Sequence, residues 1–560
     1  MSRLEVRRRL SPAVGAFSSN ARNANLRRAQ LSFLGAWTAE WAFTVALGVL
    51  AFREGGATAV GLVTLLRMVP SAVVAPFASA LADSRRRELI LAWVSGVRGV
   101  ATGLAALVVG LGGPSALVYL LAVVSTVAAT LYRPAHSALL PSLCRTPQEL
   151  AGANVVRGLL DSVATLVGPA LAAVLLEVSG VPSVFAAAAL LSLWSGYLVL
   201  RIRYETVAGE PAPRRRLRAE AVEGIRAVAA HRDLALLVGL GAAQTFTRGA
   251  VTVFTVVVAI ELLGTGEPGV GTLTAAIGAG AVIGSLLASL LVGTRRLARW
   301  VGVGVALWGL PLTLVPLFPE QAVALVLLAV VGVGNALLDL GLFTLMARLS
   351  DDRVLARVFG LLESVVALSV GLGSVVASSA IALLGIEGAL VAVGALCPVV
   401  VALAWRRLRR LDLAMDVRDR ELALLRNVPM LQVLPLPAVE QLARRLRPVT
   451  VPAGATVFEQ GDTGDRFYVV EQGAAEVVGD GRVVARLGPG DGFGEIALLR
   501  DVPRTATVRA VDELRLQVLG GRTFLLMVTC FPPSVRESQQ VVGERLDRFS
   551  PGQADGDGDA

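Results

Sequence analysis

Two neighbouring stretches near the C-terminal end hold residue types whose spacing could do chemistry together. Gly490-Asp491-Gly492-Phe493-Gly494-Glu495-Ile496-Ala497-Leu498-Leu499 is followed within a few residues by Pro503-Arg504-Thr505-Ala506-Thr507-Val508. The glycines allow a tight turn, and the run from Glu495 to Leu499 suits one short helix whose free N–H groups point back at that turn. Such a turn receives anions, and Arg504 adds a planar, permanently charged fork for phosphate oxygens. Glu495 accepts only when ionised, so it can take a hydroxyl hydrogen from a sugar beside the phosphate. One small ligand presents both groups, a cyclic nucleotide.

The Phe-Gly-Glu-Ile-Ala-Leu to Pro-Arg-Thr-Ala-Thr-Val spacing resembles the phosphate-binding cassette of cyclic-nucleotide-binding domains, and the resemblance runs from about Asn427 to Phe549. It implies that Gly494, Ile496 and Ala497 give backbone donors to the phosphate. It also implies that Glu495 holds the ribose 2′-hydroxyl and that Arg504 with Thr505 grips the phosphate. A helix over 521–549 would close as a lid, with Gln539 and Arg545 as candidate base contacts. Cyclic AMP is the default ligand and cyclic GMP the alternative, because Thr505 can serve either a guanine amino group or the phosphate.

The cassette needs a rigid frame, and the surrounding sequence supplies strand-and-turn patterning. Between Val449 and Leu519, Gly454, Gly461, Gly473, Gly481 and Gly488 punctuate runs such as Arg466-Phe467-Tyr468-Val469-Val470, which predicts a β-roll. Pro429 to Arg447 reads as a helical lead-in. Residues 428–549 form the predicted nucleotide domain, and 550–560 a disordered acidic tail. Before it, 406–427 reads as a charged amphipathic linker helix with Leu408, Leu411, Met415, Leu422 and Leu425 at helical spacing.

The rest of the chain is far too apolar for a soluble protein: 54% of its 560 residues are hydrophobic and 17% charged, with mean hydropathy +0.67. Spans are predicted near 29–52, 57–82, 88–112, 115–140, 153–177 and 182–200, and again near 234–262, 268–293, 297–317, 321–346, 357–383 and 386–405. An N-terminal segment, 1–28, precedes two six-helix halves, 29–200 and 234–405, and an arginine-rich loop, 201–233, joins them. Alternate loops carry the arginines, among them Arg85-Arg86-Arg87, Arg295-Arg296 and Arg406-Arg407, so both termini and the nucleotide domain are expected on the cytoplasmic side of the plasma membrane. The net charge of +9 is used up by this asymmetry and asks for no nucleic-acid partner.

Gly158-Leu159-Leu160-Asp161-Ser162-Val163 matches Gly360-Leu361-Leu362-Glu363-Ser364-Val365, and Ala78-Ser79-Ala80-Leu81 matches Ala288-Ser289-Leu290-Leu291 at nearly the same offset, which indicates an internal repeat. From about Arg28 to Trp405 the chain resembles the major facilitator superfamily, most closely its drug-exporter-type branches. Leu81-Ala82-Asp83-Ser84-Arg85-Arg86-Arg87 is similar to that family's Gly-x-Leu-Ala-Asp-Arg-x-Gly-Arg loop, with Ser79, Ser84 and Arg86 as departures. Gly168-Pro169 matches the Gly-Pro of its antiporter motif. The expected fold is therefore all-α in the membrane, twelve helices in two halves, plus a cytoplasmic β-roll.

Ionisable residues within spans cost about 2.5–3.5 kcal/mol each to insert and so tend to face a cavity or a partner. Glu40 and Asp339 lie deepest by residue count and are the expected proton or cation sites. Arg248 either pairs with an acid or faces an anionic substrate. Arg67 and Arg98 are close enough to span ends to reach toward water. Asp161 and Glu363, related by the repeat, are expected to bond loop arginines as gate latches beside Asp83 and Arg87.

The expected protein is a secondary transporter, a proton-coupled exporter of a small or amphipathic molecule, regulated by cyclic nucleotide. Two alternatives stay open, a membrane-anchored receptor without transport and a constitutive transporter with a degenerate nucleotide domain. With no lysine, two histidines and three scattered cysteines, the sequence offers no Walker lysine, zinc set or disulfide framework. No enzyme chemistry and no cofactor are expected, no DNA-reading helix follows Phe549, and the substrate and oligomeric state stay open.

Overall fold

The computed structural model describes residues 23–84, 86–144, 146–203, 226, 228–291, 296–349, 352–434, 436–529 and 532–549. Most of the N-terminal segment and of the 201–233 loop, the 550–560 tail and the Asp83 side chain lie outside the described residues. The chain divides into two compact units, Met1–Leu411 and Asp412–Ala560.

In hydrocarbon every backbone N–H and C=O must be satisfied within the chain, so the leucine-, valine- and alanine-rich runs fold as helices. Ten continuous helical runs among the described residues are long and apolar enough to cross a membrane. Two of these runs each hold a pair of spans. Helix Ala24–Ser84 breaks at Gly55 and Gly56, and helix Asp352–Gly394 breaks at Gly385, where φ reaches 59° at Gly56 and 72° at Gly385. Only glycine enters that region without a Cβ penalty, so the chain reverses there in almost no length. Counting each side of the breaks gives twelve spans among the described residues, as the hydropathy pattern predicts.

Details differ from the sequence expectation in three places. The fourth span is two helices, Ser115–Ala129 and Tyr132–Leu143. The seventh, Arg232–Val257, ends in a π turn, Val258–Leu262. The last span begins after Gly385 and runs through helix Leu396–Asn427 into the linker, since 406–427 contains neither Gly nor Pro to stop it. The boundary between the two units falls inside this helix and not at either end of the predicted linker.

The two halves of the first unit meet through spans two and eleven and spans five and eight. Ser374 Oγ donates to Gly61 O at 3.0 Å and Ser378 Oγ to Ala57 O at 2.8 Å. Ser162 and Ser285 share a hydrogen bond of 3.0 Å between spans five and eight. A Cβ at Gly278 would lie 2.4 Å from Leu166 N, so the absence of a side chain sets how closely these helices approach. Away from the arginine-rich loops, Arg53 at the end of span one pairs with Glu267 at the start of span eight.

In the second unit, the described residues form eight strands in two four-stranded antiparallel sheets. These are β1 (Arg447–Val451), β2 (Thr456–Phe458), β3 (Arg466–Gln472), β4 (Ala475–Gly479), β5 (Arg482–Leu487), β6 (Gly492–Phe493), β7 (Thr507–Ala510) and β8 (Leu514–Gly520), ordered β1-β8-β3-β6 and β2-β7-β4-β5. Strand β3 is buried on both faces, and its alternation divides two cores. Tyr468 and Val470 pack between the sheets with Phe493, Val508 and Leu516. Phe467 and Val469 face a helical core with Leu425, Leu431, Val439 and Phe524, and Phe467 stacks on Phe524 at 4.3 Å between ring centres. The cassette leaves this doubly anchored strand through β6.

Candidate functional site

Strand β6 pairs Tyr468 with Phe493 and Val469 with Gly492, and it delivers the chain to Gly494. Gly494 has φ 89° and precedes the short helix Glu495–Arg500. A Cβ at this position would lie 2.6 Å from Arg504 Nη1 and 3.1 Å from Arg466 O. Gly494→Ala is therefore expected to weaken ligand binding by about 5- to 30-fold, from left-handed strain of about 1–2 kcal/mol, as measured by titration of the full-length protein.

Arg504, 4% exposed, donates from Nη1 to Gly494 O at 2.9 Å and from Nη2 to Arg466 O at 2.8 Å. Its guanidinium lies over the Phe458 ring, 4.2 Å from the ring centre, which orients the fork. Burial pulls its pKa down, opposed by Tyr468, Asp465, Glu495 and Asp462, and the group remains a cation. Glu495 is 1% exposed and accepts from Arg545 Nη1 at 2.6 Å, while the same nitrogen donates to Gly492 O at 2.8 Å. Burial pushes the Glu495 carboxyl up, against the opposing pull of Arg545 and then Arg504.

Two atoms of this pocket are buried without a hydrogen-bond partner among the described residues, Glu495 Oε2 and Arg504 Nε. One is an acceptor beside a helix start and the other a donor on a fixed cation. A buried polar atom left without a partner costs about 1–3 kcal/mol, so a ligand that offers a hydroxyl and an anionic oxygen fits both. Thr505, next to Arg504, is half-buried.

Arg545 reaches Glu495 and Gly492 O of the cassette from helix Pro532–Phe549. Gln539, six residues earlier, is exposed. At 100° per residue the two point about 120° apart on the helix.

In the membrane unit the sequence-selected residues fall into two groups. Glu40 binds two arginines: Arg67 Nη2 donates to Oε1 at 3.0 Å and Arg98 Nη2 to Oε2 at 2.6 Å. Arg67 Nε also donates to Thr126 Oγ1 at 2.8 Å, which draws spans one to four together. Arg67 and Arg98 are 3% and 4% exposed, so the expectation that they reach toward span ends is corrected: a carboxylate at mid-span satisfies them better than a stretched side chain at the edge. Protonating Glu40 would leave two buried cations uncompensated.

The second group gathers around Arg133. Its Nη2 lies 3.3 Å from both oxygens of Asp161, and its guanidinium lies 4.6 Å from the centre of the Trp37 ring. Arg133 thereby joins spans four and five, and the charges of Glu363 and Asp339, on spans eleven and ten, act on it from further away. Arg248 joins the same field and lies over Trp41, one helical turn from Trp37. Asp339 accepts from Asn335 at 2.9 Å. Asp161 is thus held by a span residue and not by a loop arginine as the latch idea expects. Arg133 went unremarked in the sequence, although a charge inside the apolar run 115–140 was the signal for it. Arg87 donates to Ala138 O at 2.7 Å and to Ser142 Oγ at 3.1 Å, fastening the start of span three to the end of span four.

Comparison with known proteins finds a family match in each unit. A family model described as Major Facilitator Superfamily matches residues 31–337, and one described as Cyclic nucleotide-binding domain matches 448–529. Over 129 residues the chain is 40% identical to a cAMP-dependent protein kinase regulatory subunit of Schizosaccharomyces pombe, covering 22% of this chain and 31% of that one. It is 44% identical over 100 residues to an uncharacterized protein of Mycobacterium tuberculosis, covering 18% of this chain and 19% of the other. A solved structure of the regulatory domain of Toxoplasma gondii PKA with cAMP is 32% identical, with TM-score 0.19, covering 20% of this chain and 44% of that one. The chain thus spans about a third or less of the length of these curated relatives.

Proposed function

The chain belongs to the Major Facilitator Superfamily, and from that premise we propose that it is a secondary transporter whose cycle is biased by a cyclic nucleotide bound in the Glu495–Arg504 pocket. Cyclic AMP is the proposed ligand, supported by the likeness to cAMP-dependent kinase regulatory subunits in this stretch. The observation that carries the regulatory reading is the pair of buried, unpartnered atoms, Glu495 Oε2 and Arg504 Nε, on residues that the cassette motif assigns to ribose and phosphate.

In this reading Arg504, with Thr505 and the backbone of Gly494, Ile496 and Ala497, holds the cyclic phosphate. Glu495 takes the 2′-hydroxyl through the carboxylate oxygen that Arg545 leaves free. Arg545 then reports on the pocket, because the nitrogen that holds Glu495 belongs to the terminal helix. The continuous helix Leu396–Asn427 offers a covalent route from this domain to the last span. For regulation the nucleotide must bind one transporter state better than another, and a coupling of about 1–3 kcal/mol suffices.

The proposed transport is proton-coupled export of a small or amphipathic molecule. The Arg133–Asp161 pair suits the coupling step better than Glu40, since it is half-exposed, whereas Glu40 holds two buried arginines. Asp339, Asp161 and Glu363 are the proposed exchange partners, with Arg248 as a second cation. Asp83 and Arg87 are proposed to act in gating, and both termini to face the cytoplasm.

Calorimetric titration of the purified full-length protein with cyclic AMP and, separately, cyclic GMP tests the regulatory half of this reading. Saturable binding of cyclic AMP is expected, and a folded protein that takes up neither nucleotide contradicts it.

A further inference from the structure

Spans seven and twelve pack together through Thr247 and Cys397, which lie 3.1 Å apart, and Cys397 Sγ contacts Ala243 O at 3.6 Å. Toward the arginine-rich side the two helices leave a groove of about 370 Å³ between them. Its floor is apolar, with Ala235, Leu236, Gly239 and Leu240, and Arg232 and Arg407 stand at its mouth. Gly239 keeps the floor open, since a Cβ built there meets no atom within 4 Å.

Position along the spans fixes what this groove faces. Arg232 is the first residue of helix Arg232–Val257, and Arg407 comes two residues after Trp405, where the apolar part of the last span ends. Both guanidiniums therefore lie at the boundary between hydrocarbon and headgroups, on the side where the arginine-bearing loops gather. Both are exposed, and among the described residues neither is bonded to a carboxylate. Asp233, the adjacent acid, is exposed on the next position round the helix.

We propose that this groove is a binding site for an anionic phospholipid of that leaflet, with Arg232 and Arg407 on the headgroup phosphate and an acyl chain along Leu236, Gly239 and Leu240. A soluble anion would use the two guanidiniums and leave the apolar floor wet, and a neutral lipid would use the floor and leave two charges without a counter-ion. An anionic amphiphile satisfies both at once. Arg407 also stands on the helix that continues to Asn427, so the bound lipid would touch the element that leads to the second unit.

Native mass spectrometry of the full-length protein, titrated with phosphatidylglycerol or phosphatidylcholine, tests the assignment. One phosphatidylglycerol is expected to be retained preferentially, and Arg232→Gln and Arg407→Gln should each weaken it about fivefold. Gly239→Leu keeps both charges and fills the floor, so it separates a groove from a merely charged surface, and it should also reduce retention. Unchanged retention in all three variants overturns the proposal, as does equal retention of phosphatidylcholine. Displacement of the lipid by inorganic phosphate, with Gly239→Leu indistinguishable from the parent, would make this a soluble-anion site and overturn it too.

Discussion

Arg504→Ala is expected to lower cyclic nucleotide affinity at least about 30-fold in the full-length protein. Truncating one partner of a buried, hydrogen-bonded charge pair costs about 2–5 kcal/mol, and the ligand phosphate would lose its only buried cation among the cassette residues. The same side chain also carries the local frame. It holds Gly494 O and Arg466 O and covers Phe458, so its removal leaves two carbonyls without that donor and loosens the turn that offers backbone N–H groups. Arg504→Lys separates the two effects, since lysine keeps the charge but cannot bridge two carbonyls from one plane. It should bind nucleotide better than Arg504→Ala and worse than the parent. Calorimetry of the three proteins reads the order directly.

The second large effect is on stability. Glu40→Gln leaves Arg67 and Arg98, both almost fully buried, to share one neutral amide, and removing one partner of a buried ion pair costs about 3–5 kcal/mol. Thermal unfolding of the purified protein in detergent should show a large loss for Glu40→Gln. Asp339→Asn should cost far less, because its carboxylate is exposed and bonded to a neutral neighbour on its own helix. Normal stability in Glu40→Gln, joined to a loss of proton dependence, would instead return Glu40 to the coupling role that its depth in the first span suggested.

Much of the fold was legible because hydrocarbon allows so few answers. Twelve apolar runs, two repeated segments and a switch to strand-and-turn patterning after Arg447 named the elements and their order. What the pattern could not give was azimuth. Depth along a span can be counted, but the direction of a side chain depends on partners far away in sequence, as Arg98 on Glu40 shows. The same blindness hid Arg133, whose bonded acid, Asp161, stands on another helix. Motif spacing did better where chemistry fixes geometry. Gly494, Glu495 and Arg504 suit a tight turn, an acceptor and a fork, and in the structure Arg504 bonds Gly494 O while Glu495 and Arg504 are both buried.

The central claim, that nucleotide and transporter state are coupled, is tested most directly by measuring cyclic AMP affinity in two cross-linked forms of the full-length protein. One carries Arg53→Cys with Glu267→Cys, joining the halves on the face away from the arginine-rich loops, where the native pair already meets. The other carries a cysteine pair across the opposite ends of spans five and eight. A difference of about 5- to 150-fold between the two oxidised forms, lost on reduction, is the predicted result. Equal affinity in both would contradict the account and leave the nucleotide domain without influence on the transport cycle.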